Sequence, residues 1–264
     1  MSIIELYDSG KTYPNGCKAL EKINLSIQEG EFVSVIGASG AGKTTLIRLI
    51  NGLEKISEGK VIVDGLEISE SNVKKIRRRV GMVFQHFNIV EQLSVMTNVL
   101  SGCLGRLRCL PSLFYFFPKT DIQVAAMAIK RVGLIDKTWI RVDKLSGGQR
   151  QRVGVARALA QKPRIILADE PVASLDPVAG LQIMKILKEI SVKDGITVVA
   201  NLHQLSLARQ FSDRVIGLYQ GKIVFNEKPD QLTENIISGI YNGKTQNHTY
   251  KRANNTKRLA VANL

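Results

Sequence analysis

Short apolar runs alternate along the chain with stretches of helical periodicity. Phe32-Val-Ser-Val-Ile36 is an apolar run that ends in a glycine-rich turn, and behind it Lys43 to Asn51 has helical spacing closed by Gly52. Val61 to Val63 and Leu66 to Ile68 flank Asp64-Gly65, the signal of a tight hairpin. Val80 to Phe84 and Arg164 to Ala168 read as further strands, as do Ile196 to Ala200 and Val215 to Tyr219. Ile122, Ala125, Ala126, Ile129 and Val132 repeat at helical spacing, with Thr120 or Asp121 as the expected cap. Asp176-Pro177 reads as an N-cap followed by proline at the first helical position, and that helix is expected to stop before Gly195. Strands alternating with helices predict an α/β fold whose mostly parallel sheet is covered on both faces. The stretch from about Ile89 to Lys144 has no clear strand and interrupts this alternation, which predicts an inserted helical subdomain.

Composition narrows the setting. The 264 residues are 44% hydrophobic and 23% charged, ordinary for a globular protein. No run approaches the ~18 consecutive apolar residues a spanning helix needs. Leu113 to Phe117 is far too short and lies between Pro111 and Pro118. The N-terminus lacks the basic start and apolar stretch of a secretory signal. Cys17, Cys103 and Cys109 are odd in number and show no CxxC spacing, so neither a disulfide framework nor a zinc site is expected, and a reducing cytoplasm is. The net charge of +14 gathers partly in Lys244, Lys251, Arg252, Lys257 and Arg258, with no acid after Glu234, and partly in Lys74, Lys75, Arg77, Arg78 and Arg79. Such patches suit anionic lipid, nucleic acid or plain solvation, and charge alone does not choose between them.

The chemistry enters at Gly37-Ala38-Ser39-Gly40-Ala41-Gly42-Lys43-Thr44, followed by Thr45. Between a strand and a helix, this GxxxxGK[ST] spacing turns backbone N–H groups inward around phosphate oxygens and adds the positive end of the helix dipole. Lys43 supplies a charge to the β- and γ-phosphates, and Thr44 offers a hydroxyl to Mg²⁺. Asp169 and Glu170 end a buried strand, on the side where open α/β sheets bind ligands. Asp169 is placed to hold Mg²⁺ through water, and Glu170 to orient or deprotonate an attacking water.

Leu145-Ser146-Gly147-Gly148-Gln149 precedes a helix rich in Arg and Ala, which makes a second anion-binding turn without a phosphate of its own. It resembles the signature of the ABC ATPases, with a complete match. Other elements of that family follow in order. Gln85 comes after the strand Val80 to Phe84, Ser174-Leu-Asp176 is similar to the D-loop, His203 to the switch histidine, and Tyr13 to the aromatic that stacks on adenine.

The resemblance implies a P-loop NTPase fold with a mostly parallel core sheet, an N-terminal antiparallel β subdomain and the inserted helical subdomain. Residues 1–242 then form one ABC ATPase domain, with core about 1–88 and 155–242, helical subdomain about 89–154, and a flexible basic tail at 243–264. It also implies ATP and Mg²⁺, the metal held by Thr44, Gln85 and Asp169, and catalysis by Glu170, His203 and Gln85. In a head-to-tail homodimer, Ser146, Gly147, Gly148, Gln149 and Asp176 of one subunit would close on the ATP held by Tyr13 and the residues 37–45 of the other. Permease subunits, a solute-binding protein and a peripheral place on the cytoplasmic face of the inner membrane complete the expectation, with no nucleic acid. Gln85 to Val90, Glu170 to Pro177, Asn201 to Gln204 and Ser112 to Phe114 resemble the phosphonate-importer branch, whereas Arg150, where glutamine is expected, departs from it. An importer of phosphate-like anions or amino acids would share every catalytic residue, and a soluble ABC ATPase acting on nucleic acid would suit the charge.

Overall fold

The continuous apolar runs form buried parallel strands. In a computed structural model, which describes residues 1–106 and 117–243, every residue of β3 (Phe32–Ile36) and of β8 (Thr197–Asn201) is buried. With β6 (Val80–Val83), β7 (Ile165–Asp169), β9 (Arg214–Tyr219) and β10 (Lys222–Glu227) they make a six-stranded sheet of order β10-β9-β3-β8-β7-β6. All its pairings are parallel except the edge pair of β9 and β10. A second, antiparallel sheet has the order β2-β1-β4-β5, from Lys18–Gln28, Ser2–Thr12, Glu58–Val63 and Leu66–Glu67. Its last pair is the expected hairpin, with Val63 opposite Leu66.

Side chains alternate across a strand, so β3 feeds two cores at once. Val33 and Val35 join Leu46, Ile47 and Ile50 of α1 (Lys43–Ile50) and Ile76 of α2 (Val73–Arg79) beneath the antiparallel sheet. Phe32 and Ile36 face the opposite core, which includes Ile183, Leu187 and Ile190. Those three belong to a helix of 18 residues, Pro177–Asp194. As expected, Asp176 caps it, accepting from the Ala179 amide at 2.9 Å, and Gly195 ends it.

The helical insertion holds α3 (Val95–Ser101), α4 (Lys119–Arg131) and α5 (Gly147–Ala160), followed in the chain by the Pro177–Asp194 helix as α6. Two expectations for α4 are corrected. The residue before its first turn is Pro118, whose ring presets the backbone for entry, so Thr120 and Asp121 lie inside the helix. Its buried face is Ala125, Ala128, Ile129 and Val132, while Ile122 is 41% exposed and Ala126 is also exposed. Helix α5 runs unbroken across position 155 and packs on α3, α4 and β6. Ser112 to Phe114, Cys109 and the tail cations lie outside the described residues.

The turn into α3 is held by the Ser94 cap on the Thr97 amide and by one buried side-chain amide. Asn98 is buried, accepts from the Val90 amide at 2.8 Å, and donates to the carbonyls of Val90 and Ser94 at 2.9 and 3.0 Å. Val90 is exposed and Ser94 half-buried, so Asn98→Ala lets water reach the freed groups, and a loss of about 1 to 2 kcal/mol is expected. Urea unfolding measures it, as a lower midpoint at unchanged slope.

Candidate active site

The end of β3, the start of α1 and the C-terminal ends of β7 and β8 converge. Gly42 holds the turn at φ +104, and a Cβ there would meet the Ala19 carbonyl oxygen at 2.5 Å, so only glycine fits. Lys43 folds back over the loop, donating from Nζ to the carbonyls of Gly37 at 2.8 Å and Ala38 at 3.0 Å. Burial pulls its ammonium below the usual lysine range, and Glu170 and then Asp169 partly restore the charged form.

Thr44 donates from Oγ1 to Asp169 Oδ1 at 3.1 Å, and Asn201 donates from Nδ2 to the same oxygen at 2.7 Å. Asn201 is fully buried, and its own Oδ1 has no hydrogen-bond partner. Its place in the site was not assigned from sequence. The available signal was its position at the end of a buried strand, two residues before His203. Glu170 follows Asp169 with φ +51, a left-handed backbone that non-glycine residues hold mainly where surrounding structure enforces it. Its Oε1 lies 2.6 Å from His203 Nε2.

Tyr13 is half-buried beside the cradle. Its hydroxyl is 3.3 Å from Thr45 Oγ1, and Lys11 Nζ sits 5.0 Å from its ring centre. Gln85 follows β6, half-buried, and leads into Phe87 and Asn88, both with positive φ. Arg157, its guanidinium pulled below the usual arginine range by burial, donates to the carbonyls of Phe87 and Asn88. Beside this segment lies a cavity of about 340 Å³ lined in part by Phe84, Asn88, Arg157, Arg77 and Asn51.

The signature turn lies elsewhere in the chain. Ser146 caps α5, accepting from the Gln149 amide at 3.3 Å, while Gln149 Oε1 accepts from the Ser146 amide at 3.1 Å. Gly148 sits where a Cβ would press on Ala179 Cβ at 2.8 Å, and Ala179 is the residue capped by Asp176. The signature and Asp176 are thus one unit, and the cradle with Asp169, Glu170, Asn201 and His203 is another.

Among the described residues no group of three or more His, Cys, Asp or Glu side chains is arranged to hold a metal. A hydroxyl and a carboxylate at 3.1 Å suit an oxygen-seeking ion whose other ligands are phosphate and water. The residues present fit Mg²⁺.

Fold and site together define a nucleotide-binding cassette, and the chain belongs to the ABC transporter family, whose profile matches residues 20–173. The phosphonates import ATP-binding protein PhnC of Thiobacillus denitrificans is 53% identical over 91% of this chain and 93% of that protein. A PhnC of Trichodesmium erythraeum is 51% identical over 89% and 90%, and that of Bacillus anthracis 46% over 92% and 96%. Among solved structures, the dimeric post-hydrolysis state of the ATP-binding cassette MJ0796 bound to ADP and Pi is 38% identical with a TM-score of 0.72, covering 86% of this chain and 98% of that one. CbiO1 from Clostridium perfringens, part of an ABC transporter complex, has a TM-score of 0.78 at 29% identity, covering 87% and 89%. No helix among the described residues is long and apolar enough to cross a membrane.

Proposed function

We propose that the protein is the ATP-hydrolysing subunit of a phosphonate importer. The observation that carries this reading is 53% identity across nine-tenths of the chain to a phosphonate import subunit. The arrangement of Lys43, Asp169, Glu170 and His203 supports the chemistry. Two copies work head to tail at the cytoplasmic face of the inner membrane, with permease subunits and a solute-binding protein completing the importer.

ATP lies with its phosphates in the loop 37–45 and its base by Tyr13. Lys43 exchanges loop carbonyls for phosphate oxygens. Thr44, Asp169 and Gln85 would hold Mg²⁺, which would neutralise phosphate charge. Glu170 orients water for attack on the γ-phosphorus and takes its proton, and His203 contacts the γ-phosphate. The partner's signature turn, through Ser146, Gly147 and Gly148, closes the site from the other side, where a helix N-terminus favours anions. Gln85 follows Phe84, which lines the same cavity as Arg77 and Arg157, a surface from which a permease segment can sense the nucleotide.

Growth on a phosphonate as sole phosphorus source tests the substrate. Deletion of the gene should abolish growth, and wild-type but not Lys43→Ala should restore it. If phosphonate uptake survives while another solute's uptake fails, the substrate assignment falls and the ATPase assignment stands.

A further inference from the structure

Arg150 sits in the first turn of α5, where a cation opposes the helix dipole. Three of its nitrogens are engaged. Nε donates to the Leu145 carbonyl at 3.1 Å, Nη2 to the Asp143 carbonyl at 2.9 Å, and Nη1 to Glu91 Oε1 at 2.9 Å. The peptide between Leu145 and Ser146 is therefore fastened at both ends. Arg150 holds its carbonyl, and Gln149 Oε1 accepts from its N–H.

The far end of the strut is equally fixed. The Asp143 amide donates to the Glu91 carbonyl at 2.9 Å, and the Val142 amide to that of Leu93 at 3.0 Å. Asn98 clamps Val90 one residue before Glu91. The chain that leaves Gln85 and passes through Phe87 and Asn88 thus reaches a rigid anchor at 90–93, and Arg150 ties that anchor to the signature turn.

We propose that Arg150 is a positioning residue for the signature turn. It fixes the peptide that leads into Ser146, so that the Ser146 hydroxyl and the first N–H groups of α5 are oriented before the partner's nucleotide arrives. A guanidinium does this where an amide or an ammonium does not, because its planar fork reaches two carbonyls and a carboxylate together. Without it the turn must be ordered during dimer closure, at a cost in backbone entropy. The effect falls on closure of the dimer and not on ATP binding to one subunit. This inference rests on the reading that the active site is shared between two copies.

The test uses full-length chain carrying Glu170→Gln, in which MgATP should drive dimers that do not turn over. Sedimentation at graded protein concentrations gives the dimer dissociation constant. Adding Arg150→Ala should raise it about tenfold, equivalent to about 1.4 kcal/mol. Arg150→Lys should not rescue, and Glu91→Gln should give an intermediate rise. Affinity of the dilute monomer for a fluorescent ATP analogue should stay within about twofold, even though loss of the three Arg150 hydrogen bonds lowers the melting temperature somewhat. Arg150→Gln serves as the second variant should alanine prevent folding. Equal dimerisation with and without Arg150, or a parallel loss of monomer affinity, overturns the inference. Failure of the Glu170→Gln parent to dimerise with MgATP overturns the shared-site reading and this inference with it.

Discussion

Glu170→Gln is expected to retain ATP binding and lose hydrolysis by roughly 100-fold or more, the usual scale for removal of a general base. The substitution keeps the shape of the side chain and removes the carboxylate that accepts the water proton. Its 2.6 Å partner, His203 Nε2, can still hydrogen-bond to the amide, so the fold around residue 170 should hold. Nucleotide affinity should change little, because Lys43, Thr44 and the loop amides carry it. Steady-state phosphate release measures the loss and equilibrium binding of ATP the retained affinity. Near-normal turnover would remove Glu170 from the role of base.

How much of this site could be read from residues alone differs from group to group. The cradle and the Asp169-Glu170 pair were legible because their chemistry is local, carried by neighbours in one turn. The buried strands β3, β7 and β8 were legible because burial on both faces leaves no polar position to break the run. Edge strand β10 was not, since Lys222, Asn226 and Glu227 interrupt its apolar positions, as a half-exposed edge permits. Asn201 escaped because its partner Asp169 is 32 residues away, and only the parallel register of β7 with β8 brings them opposite one another. On α4 the spacing identified the helix but placed Ile122 and Ala126 on the wrong side, because neighbouring positions 125 and 126 cannot both face inward for long at 3.6 residues per turn. The pattern Ser146 to Gln149 had a second meaning that sequence also carried, since serine with glutamine three residues on is a capping box as well as a family signature.

Mixing two inactive chains should recover activity. Lys43→Ala removes the charge on the β- and γ-phosphates, and Ser146→Arg places a bulky side chain at the signature turn; each alone should lose roughly 100-fold or more. Within one chain the Ser146 turn packs on Ala179 and is not part of the cradle assembly, so the lesions strike different units of structure. In a mixed dimer one composite site carries both lesions and the other carries neither. ATPase activity that rises on mixing, with a maximum near equal proportions, is the expected outcome. Ser146 is also a helix cap, and its loss costs about 1 kcal/mol of stability, so melting curves of both variants accompany the assay. Absence of recovery at every ratio would count against a site shared between two chains.

The hydrogen bond between His203 and Glu170 has a further consequence for economy. It engages one oxygen of the carboxylate proposed as the base, while Lys43 donates its ammonium to the carbonyls of Gly37 and Ala38. The chain thereby supplies substitutes for the groups a nucleotide brings, and engaging substrate is an exchange of partners with little reorganisation of charge. The same pairing links the two roles, since an imidazole that turned to a γ-phosphate would leave the Glu170 oxygen free for water in the same movement.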